Sequence, residues 1–266
     1  MKTIALVLAY DGTPFAGWQR QEGKRTIQGC LEEAISRINH APTQVRGASR
    51  TDAGVHAEYQ IAAFETPRDY PPQRWRQALN STTPPEICVR SAQLAPDGFQ
   101  PRFASRGKHY RYWLYQDHFL PPQLLCRAAH TMPLDLDNMR KAAHYLIGEH
   151  DFSSFRAADC QAKSPVRTIS EISISFAAPP YAYTLCDENR LIQIDVKGTA
   201  FLKQMVRIIV GTLIEFGLGR PAEEMQTILE ARSRAKAGQT APAAGLTLVR
   251  SFSDLPWQND TDCQSS

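Results

Sequence analysis

The chain has 266 residues, 42% hydrophobic and 21% charged, which is the make-up of an ordinary water-soluble globular protein long enough for one large or two medium domains. No apolar run reaches the roughly 18 residues that a membrane-spanning helix needs. A formal net charge of +3 is too small to announce a nucleic-acid partner, although 22 of the 30 basic residues are Arg, which forks onto phosphates and stacks on bases as Lys cannot.

In chain order, Thr3–Tyr10 is apolar but short and is stopped by Asp11-Gly12. It reads as a first strand rather than a secretory leader, and a cytoplasmic location is expected. Thr26 is placed to cap a helix whose apolar residues Ile27, Leu31, Ala34, Ile35 and Ile38 share one face. Tyr59–Glu65 reads as a strand, Pro71-Pro72 opens a weaker helix, and Ile87–Leu94 reads as another strand. From Lys108 the pattern restarts with an aromatic strand, Tyr110–Tyr115, followed by a helix with Leu136, Met139, Ala143 and Leu146 inward. Ile172, Ile174 and Phe176 alternate, as do Ile192, Ile194 and Val196, which fits two adjacent half-buried strands. A long helix is expected from Phe201 to Phe216, another with Pro221 as its first residue, and a last strand over Leu246–Phe252. After Pro256 the chain is polar and is expected to fray. Two halves, 1–105 and 106–255, thus each mix sheet and helix ahead of a 256–266 tail, and the fold class is α+β with helices covering one face of each sheet.

The six cysteines (Cys30, Cys88, Cys126, Cys160, Cys186 and Cys263) are scattered. None forms a C-x-x-C pair, so neither a zinc site nor a thioredoxin-like motif is supported and reduced thiols are expected. Gly-rich phosphate loops, H-E-x-x-H and Walker patterns are also missing, which argues against nucleotide-dependent and metal-dependent chemistry.

Three segments could carry chemistry. In Gly47-Ala-Ser-Arg-Thr-Asp-Ala-Gly-Val-His-Ala57, the stretch Asp52-Ala-Gly54 has the residue types of a turn. The alternative is functional: Arg50 and Asp52 lie close together on a loop, where a carboxylate beside guanidinium groups stays ionised, as a nucleophile or base must be. His56 lacks a partner at a telling spacing and reads as structural. In Arg102, Arg106 and Lys108–Trp113, basic residues interleave with aromatics as on a nucleic-acid surface; equally, Tyr110 and Tyr112 would share one face of an amphipathic strand with Arg111 on the other. On the long helix, Phe201, Met205, Ile208, Ile209, Leu213 and Phe216 form one apolar stripe. Arg207 points away from it, but towards Gly211 and Ile214, so it is either a partly buried guanidinium in need of an anion or a solvated one at the helix edge. The residues by themselves support a basic-aromatic α+β protein with features of RNA binding.

Arg50-Thr-Asp-Ala-Gly-Val-His-Ala57 resembles the signature of the TruA family of tRNA pseudouridine synthases. Other blocks agree in order: Tyr10-Asp-Gly with Gly17-Trp-Gln19, Tyr110-Arg-Tyr112, Asp151-Phe-Ser-Ser-Phe155, Phe201 with Met205-Val-Arg207, and Ala241-Pro242 with Gly245-Leu246. Together they span nearly the whole chain. The resemblance implies two related subdomains with sheets joined around a basic cleft, a homodimer, no metal or organic cofactor, and as substrates the uridines at tRNA positions 38, 39 and 40. It also implies the site. Asp52 matches the catalytic aspartate. Tyr110 matches the tyrosine that packs on the target base, and Arg207 the arginine that pairs with the carboxylate. Arg50 matches an arginine that helps hold the tRNA and extrude the base, and Leu246 an apolar residue beside the pocket. Phe15 stands where a tyrosine is common, and Gly198-Thr-Ala200 replaces a stretch that often carries Asn; both concern peripheral packing. Two rivals remain at this level: a tRNA-bending chaperone without catalysis, and a glycosidase-like hydrolase, for which no second carboxylate stands out.

Overall fold

A strand buried on both faces must be as apolar as Thr3–Tyr10, and β1 (Lys2–Tyr10) has that place in the computed structural model, which describes residues 1–177 and 189–257. The chain divides into two compact units. The first is Met1–Gly107 together with the segment from Leu248 onward, and the second is Lys108–Thr247.

In the first unit, α1 (Ile27–Asn39) starts where the sequence places it, with the Thr26 side chain accepting from Gly29 N–H. Ile27, Leu31, Ala34 and Ile35 are buried along its inner face. The strands are β2 (Val45–Gly47), β3 (His56–Thr66) and, after α2 (Pro72–Thr82), β4 (Ile87–Ala95). β1 lies antiparallel between β3 and β4, with Ala5 opposite Ala63 on one side and Gln93 on the other. β2 pairs with β3, Val45 opposite Phe64. Pro71 precedes α2, whose Trp75 stacks edge-on against Phe64 with centroids 4.9 Å apart.

The second unit opens with most of β5 (Ser105–Gln116) and adds β6 (Ala129–Thr131), α3 (Leu136–His144), β7 (Gly148–Asp151), β8 (Val166–Phe176) and β9 (Leu191–Gly198). α4 (Met205–Gly217), α5 (Glu224–Glu230) and the first two residues of β10 (Leu246–Ser253) follow. The strand order is β5-β9-β8-β7, all antiparallel, with β6 parallel to β5. Tyr110, Tyr112 and Leu114 stand opposite Val196, Ile194 and Ile192, and this whole set is buried. Both units are therefore of the expected α+β class.

The structure differs from the sequence reading in four places. α4 starts at Met205 rather than Phe201, because Gln204 adopts a left-handed conformation (φ 59°) that an α-helix does not continue through. α5 starts at Glu224 rather than Pro221, whose carbonyl instead closes a turn with Glu224 N–H. The sequence places the last strand with the second half, yet from Leu248 onward β10 groups with the first unit, beside β3. Pro256 and Trp257, read as the start of a polar tail, are docked as well. Trp257 is buried edge-on against Tyr59 (6.4 Å), and the Pro256 carbonyl accepts from Gln93 Nε2 at 3.0 Å. Burying an indole outweighs the polarity of its neighbours.

Residues 258–266, and with them Cys263 and the rest of the expected tail, lie outside the described residues, as does Cys186; Cys30, Cys88, Cys126 and Cys160 are free thiols. Among the described residues no helix is long and apolar enough to cross a membrane.

Candidate active site

The turn expected at Asp52-Ala-Gly54 is present. Val55 N–H donates to the Asp52 carbonyl at 3.2 Å, closing a tight turn whose third residue, Gly54, has φ 79°. That is the position where glycine escapes the Cβ penalty. The turn ends where β3 begins, and it leaves Asp52 half-buried and Arg50 exposed.

The stretch after β1 grips this loop. Trp18 N–H donates to the Thr51 carbonyl at 3.0 Å, and Gly54 N–H donates to the Phe15 carbonyl at 3.3 Å. The Tyr10 and Thr51 hydroxyls share a 2.8 Å hydrogen bond. Gly12 lies so close to the loop that a Cβ there would sit 2.0 Å from the Val55 carbonyl oxygen. His56 is buried and its Nδ1 accepts from Gly12 N–H at 3.2 Å, the structural role expected of it. The Tyr10-Asp-Gly block, the Gly17-Trp-Gln19 block and the Asp52 block are thus one packed object, although about 40 residues separate them along the chain. Phe15, where a tyrosine is common, is buried with the Arg25 guanidinium over its ring at 4.4 Å.

The other singled-out residues belong to the second unit. Tyr110 is buried on β5 and meets the half-buried Phe201 ring edge-on at 5.3 Å, just ahead of the helix. Arg207 on α4 is half-buried, and its Nε donates to the Ala241 carbonyl at 2.8 Å. Ala241 N–H returns a bond to the Arg207 carbonyl at 3.1 Å. Tyr112 OH donates to the next carbonyl, that of Pro242, at 2.7 Å. Burial pushes the Tyr112 phenol well above its usual range, against the smaller opposing pull of Arg207. One turn later Leu246 is buried as the first residue of β10.

One cluster escapes a reading of the sequence. On the face of β5 opposite Tyr110 and Tyr112, His109 Nε2 lies 2.6 Å from Asp195 Oδ1, and Arg111 Nε donates to the same oxygen at 2.9 Å. Gln193 Nε2 donates to Asp195 Oδ2. Burial opposes the charge on Asp195, but the bonds from His109, Arg111 and Gln193 outweigh it and lower the carboxyl to about 2. The strand from Lys108 is accordingly amphipathic, with inward tyrosines and an Arg111 already engaged by a carboxylate. Arg106, read with the same segment, is exposed and paired with Asp254 at 2.6 Å. The signal available in the sequence was an aspartate inside the alternating Ile192, Ile194, Val196 run; its partners needed the β5–β9 register, which sets Arg111 opposite Asp195. Among the described residues, no group of three or more His, Cys, Asp or Glu side chains is arranged to hold a metal ion.

A family model described as "tRNA pseudouridine synthase" matches residues 6–104 and 142–252, which include Arg50, Asp52, Arg207 and Leu246 but not Tyr110. Full-length relatives agree. The tRNA pseudouridine synthase A of Geobacter sulfurreducens is 42% identical over 252 residues, covering 94% of this chain and 99% of that protein. The protein of that name from Acetivibrio thermocellus is 40% identical over 254 residues, 95% of this chain and 100% of the other. That of Pseudomonas aeruginosa is 42% identical over 250 residues, 93% and 84% respectively. With identity at this level across both units, the chain belongs to the tRNA pseudouridine synthase family.

Proposed function

We propose that this enzyme isomerises the uridines at tRNA positions 38, 39 and 40, in the anticodon arm, with Asp52 as its reactive carboxylate. The observation that carries the reading is the Asp52 turn: one half-buried carboxylate on a loop pinned at Thr51 and Gly54 by the main chain of the preceding stretch. A group held in this way is pre-organised for attack on a substrate that must itself be brought to it. Family membership supports the chemistry.

The reaction breaks the C1′–N1 bond, turns the uracil and forms a C1′–C5 bond. Neither oxidation state nor energy input changes, so the chemistry calls for no metal or organic cofactor. The target base first leaves its stack, at a cost of a few kcal/mol that phosphate contacts offset. Arg50, exposed two residues from Asp52, is suited to such a contact. The Asp52 carboxylate then either attacks C1′ or removes the C2′ proton to give a glycal, and a base takes the C5 proton after the new bond forms. On this reading Tyr110 packs on the base, Arg207 supplies the guanidinium that offsets the carboxylate charge, and Leu246 contributes an apolar wall. The protein works as a homodimer in the cytoplasm.

Tritium release from tRNA labelled at uridine C5 tests the proposal, with wild type beside Asp52→Asn and RNA mass and tRNA binding followed in parallel. Release by wild type with unchanged RNA mass, no release by the variant, and binding by both are expected. Binding without release by wild type would leave a tRNA-bending chaperone as the better reading. A lower RNA mass would point to base hydrolysis, and full activity in Asp52→Asn would remove Asp52 from the site.

A further inference from the structure

Thr51, the residue before Asp52, is held twice. Its carbonyl accepts from Trp18 N–H at 3.0 Å, and its hydroxyl meets the Tyr10 phenol at 2.8 Å. Tyr10, Trp18 and Thr51 are all buried, and the Tyr10 and Trp18 rings lie tilted together with centroids 6.2 Å apart. Packing alone does not call for this arrangement, since Phe and Val would fill nearly the same space without two hydroxyls to desolvate. What a hydrogen bond adds to a packed site is direction.

The bond acts on the residue next to the reactive carboxylate, on a turn whose other end is fixed by Gly54 and Val55. We infer that the Tyr10–Thr51 hydroxyl pair is a positioning device for pseudouridine formation: it anchors the Thr51 side chain and, together with the Trp18 N–H on the Thr51 carbonyl, fixes the main chain from which the Asp52 carboxylate reaches the ribose. Tyr10 and Thr51 act through Asp52 and touch no reacting atom. The inference rests on Asp52 being the catalytic carboxylate.

The test compares wild type, Tyr10→Phe, Thr51→Val, Thr51→Ser, the Tyr10→Phe/Thr51→Val double variant and Asp52→Asn in the full chain. Single-turnover tritium release is measured beside tRNA Kd, well below the unfolding temperature. A misplaced catalytic group costs rate rather than binding, so Tyr10→Phe and Thr51→Val should each slow release about ten-fold, with Kd within about two-fold of wild type. Thr51→Ser, which keeps the hydroxyl, should restore the rate. The double variant should be no slower than the slower single, because both changes remove one bond. If Thr51→Val does not fold, Tyr10→Phe, which keeps the ring, decides. Wild-type rates in Tyr10→Phe alongside an inert Asp52→Asn would overturn the positioning role and leave the assignment of Asp52 standing, whatever the change in melting temperature. Activity in Asp52→Asn would overturn both.

Discussion

The loop around Asp52 in the first unit and the 237–245 loop in the second are held by opposite means. Main chain does most of the holding around Asp52: Trp18 N–H reaches Thr51, Gly54 N–H reaches Phe15, and Gly12 packs flush under Val55. Side chains do most of it in the second unit: Arg207 reaches Ala241, Tyr112 reaches Pro242, and Thr212 Oγ1 accepts from Gly238 N–H at 2.9 Å. A backbone clamp fails as a whole when one residue gains an atom, whereas side-chain ties are lost one at a time. The first arrangement fixes the main chain that carries Asp52, and the second leaves the surroundings of Arg207 to separate side-chain bonds.

The largest effect should come from breaking the backbone clamp. Gly12→Ala places a Cβ 2.0 Å from the Val55 carbonyl oxygen, so main chain has to move. The expected loss is upwards of about 3 kcal/mol in chemical denaturation, with tritium release falling along with it. A loss below about 1 kcal/mol would mean that the two segments are not locked together.

Next comes the charge cluster behind the second unit's sheet. Asp195 is lowered from 3.8 to about 2 by its hydrogen bonds. A carboxyl lowered on folding stabilises fully above its unfolded value, and that stability is lost as pH falls through the folded one. The contribution of about 2 kcal/mol should therefore be complete above pH ~4 and drain away between pH ~4 and ~2. Asp195→Asn should melt earlier than wild type at pH 7 and lose that part of the acid dependence. Parallel pH profiles for the two proteins would count against the network.

The smallest effect should follow removal of a single side-chain tie. Tyr112→Phe strands the Pro242 carbonyl and should cost about 1–2 kcal/mol, while the fold and tRNA binding persist. If Tyr112→Phe proves as damaging as Gly12→Ala, the contrast between the two loops is wrong.

Some elements were plain in the sequence because their signals are local. Thr26 and the Ile27, Leu31, Ile35 spacing locate α1, and the alternation of Ile192, Ile194 and Val196 locates β9. β2, β6 and β7 have three or four residues each, too few to show a period, and exist because a neighbour offers an edge. Phe201 continues the apolar stripe of α4, yet the helix begins four residues later, because Gln204 turns left-handed.

The sequence by itself determined the α+β class, the periodic helices and strands and, through its ordered motifs, the family and the residues to suspect. Those are properties of spacing and residue type, which a chain carries before it folds. Tertiary structure alone decided that Tyr10, Gly12 and Trp18 clamp the Asp52 turn, that β10 returns to the first unit, that Trp257 is buried and that Asp195 gathers His109, Arg111 and Gln193. Each of these depends on which distant segments become neighbours, and strand register and close packing set that rather than any periodicity along the chain.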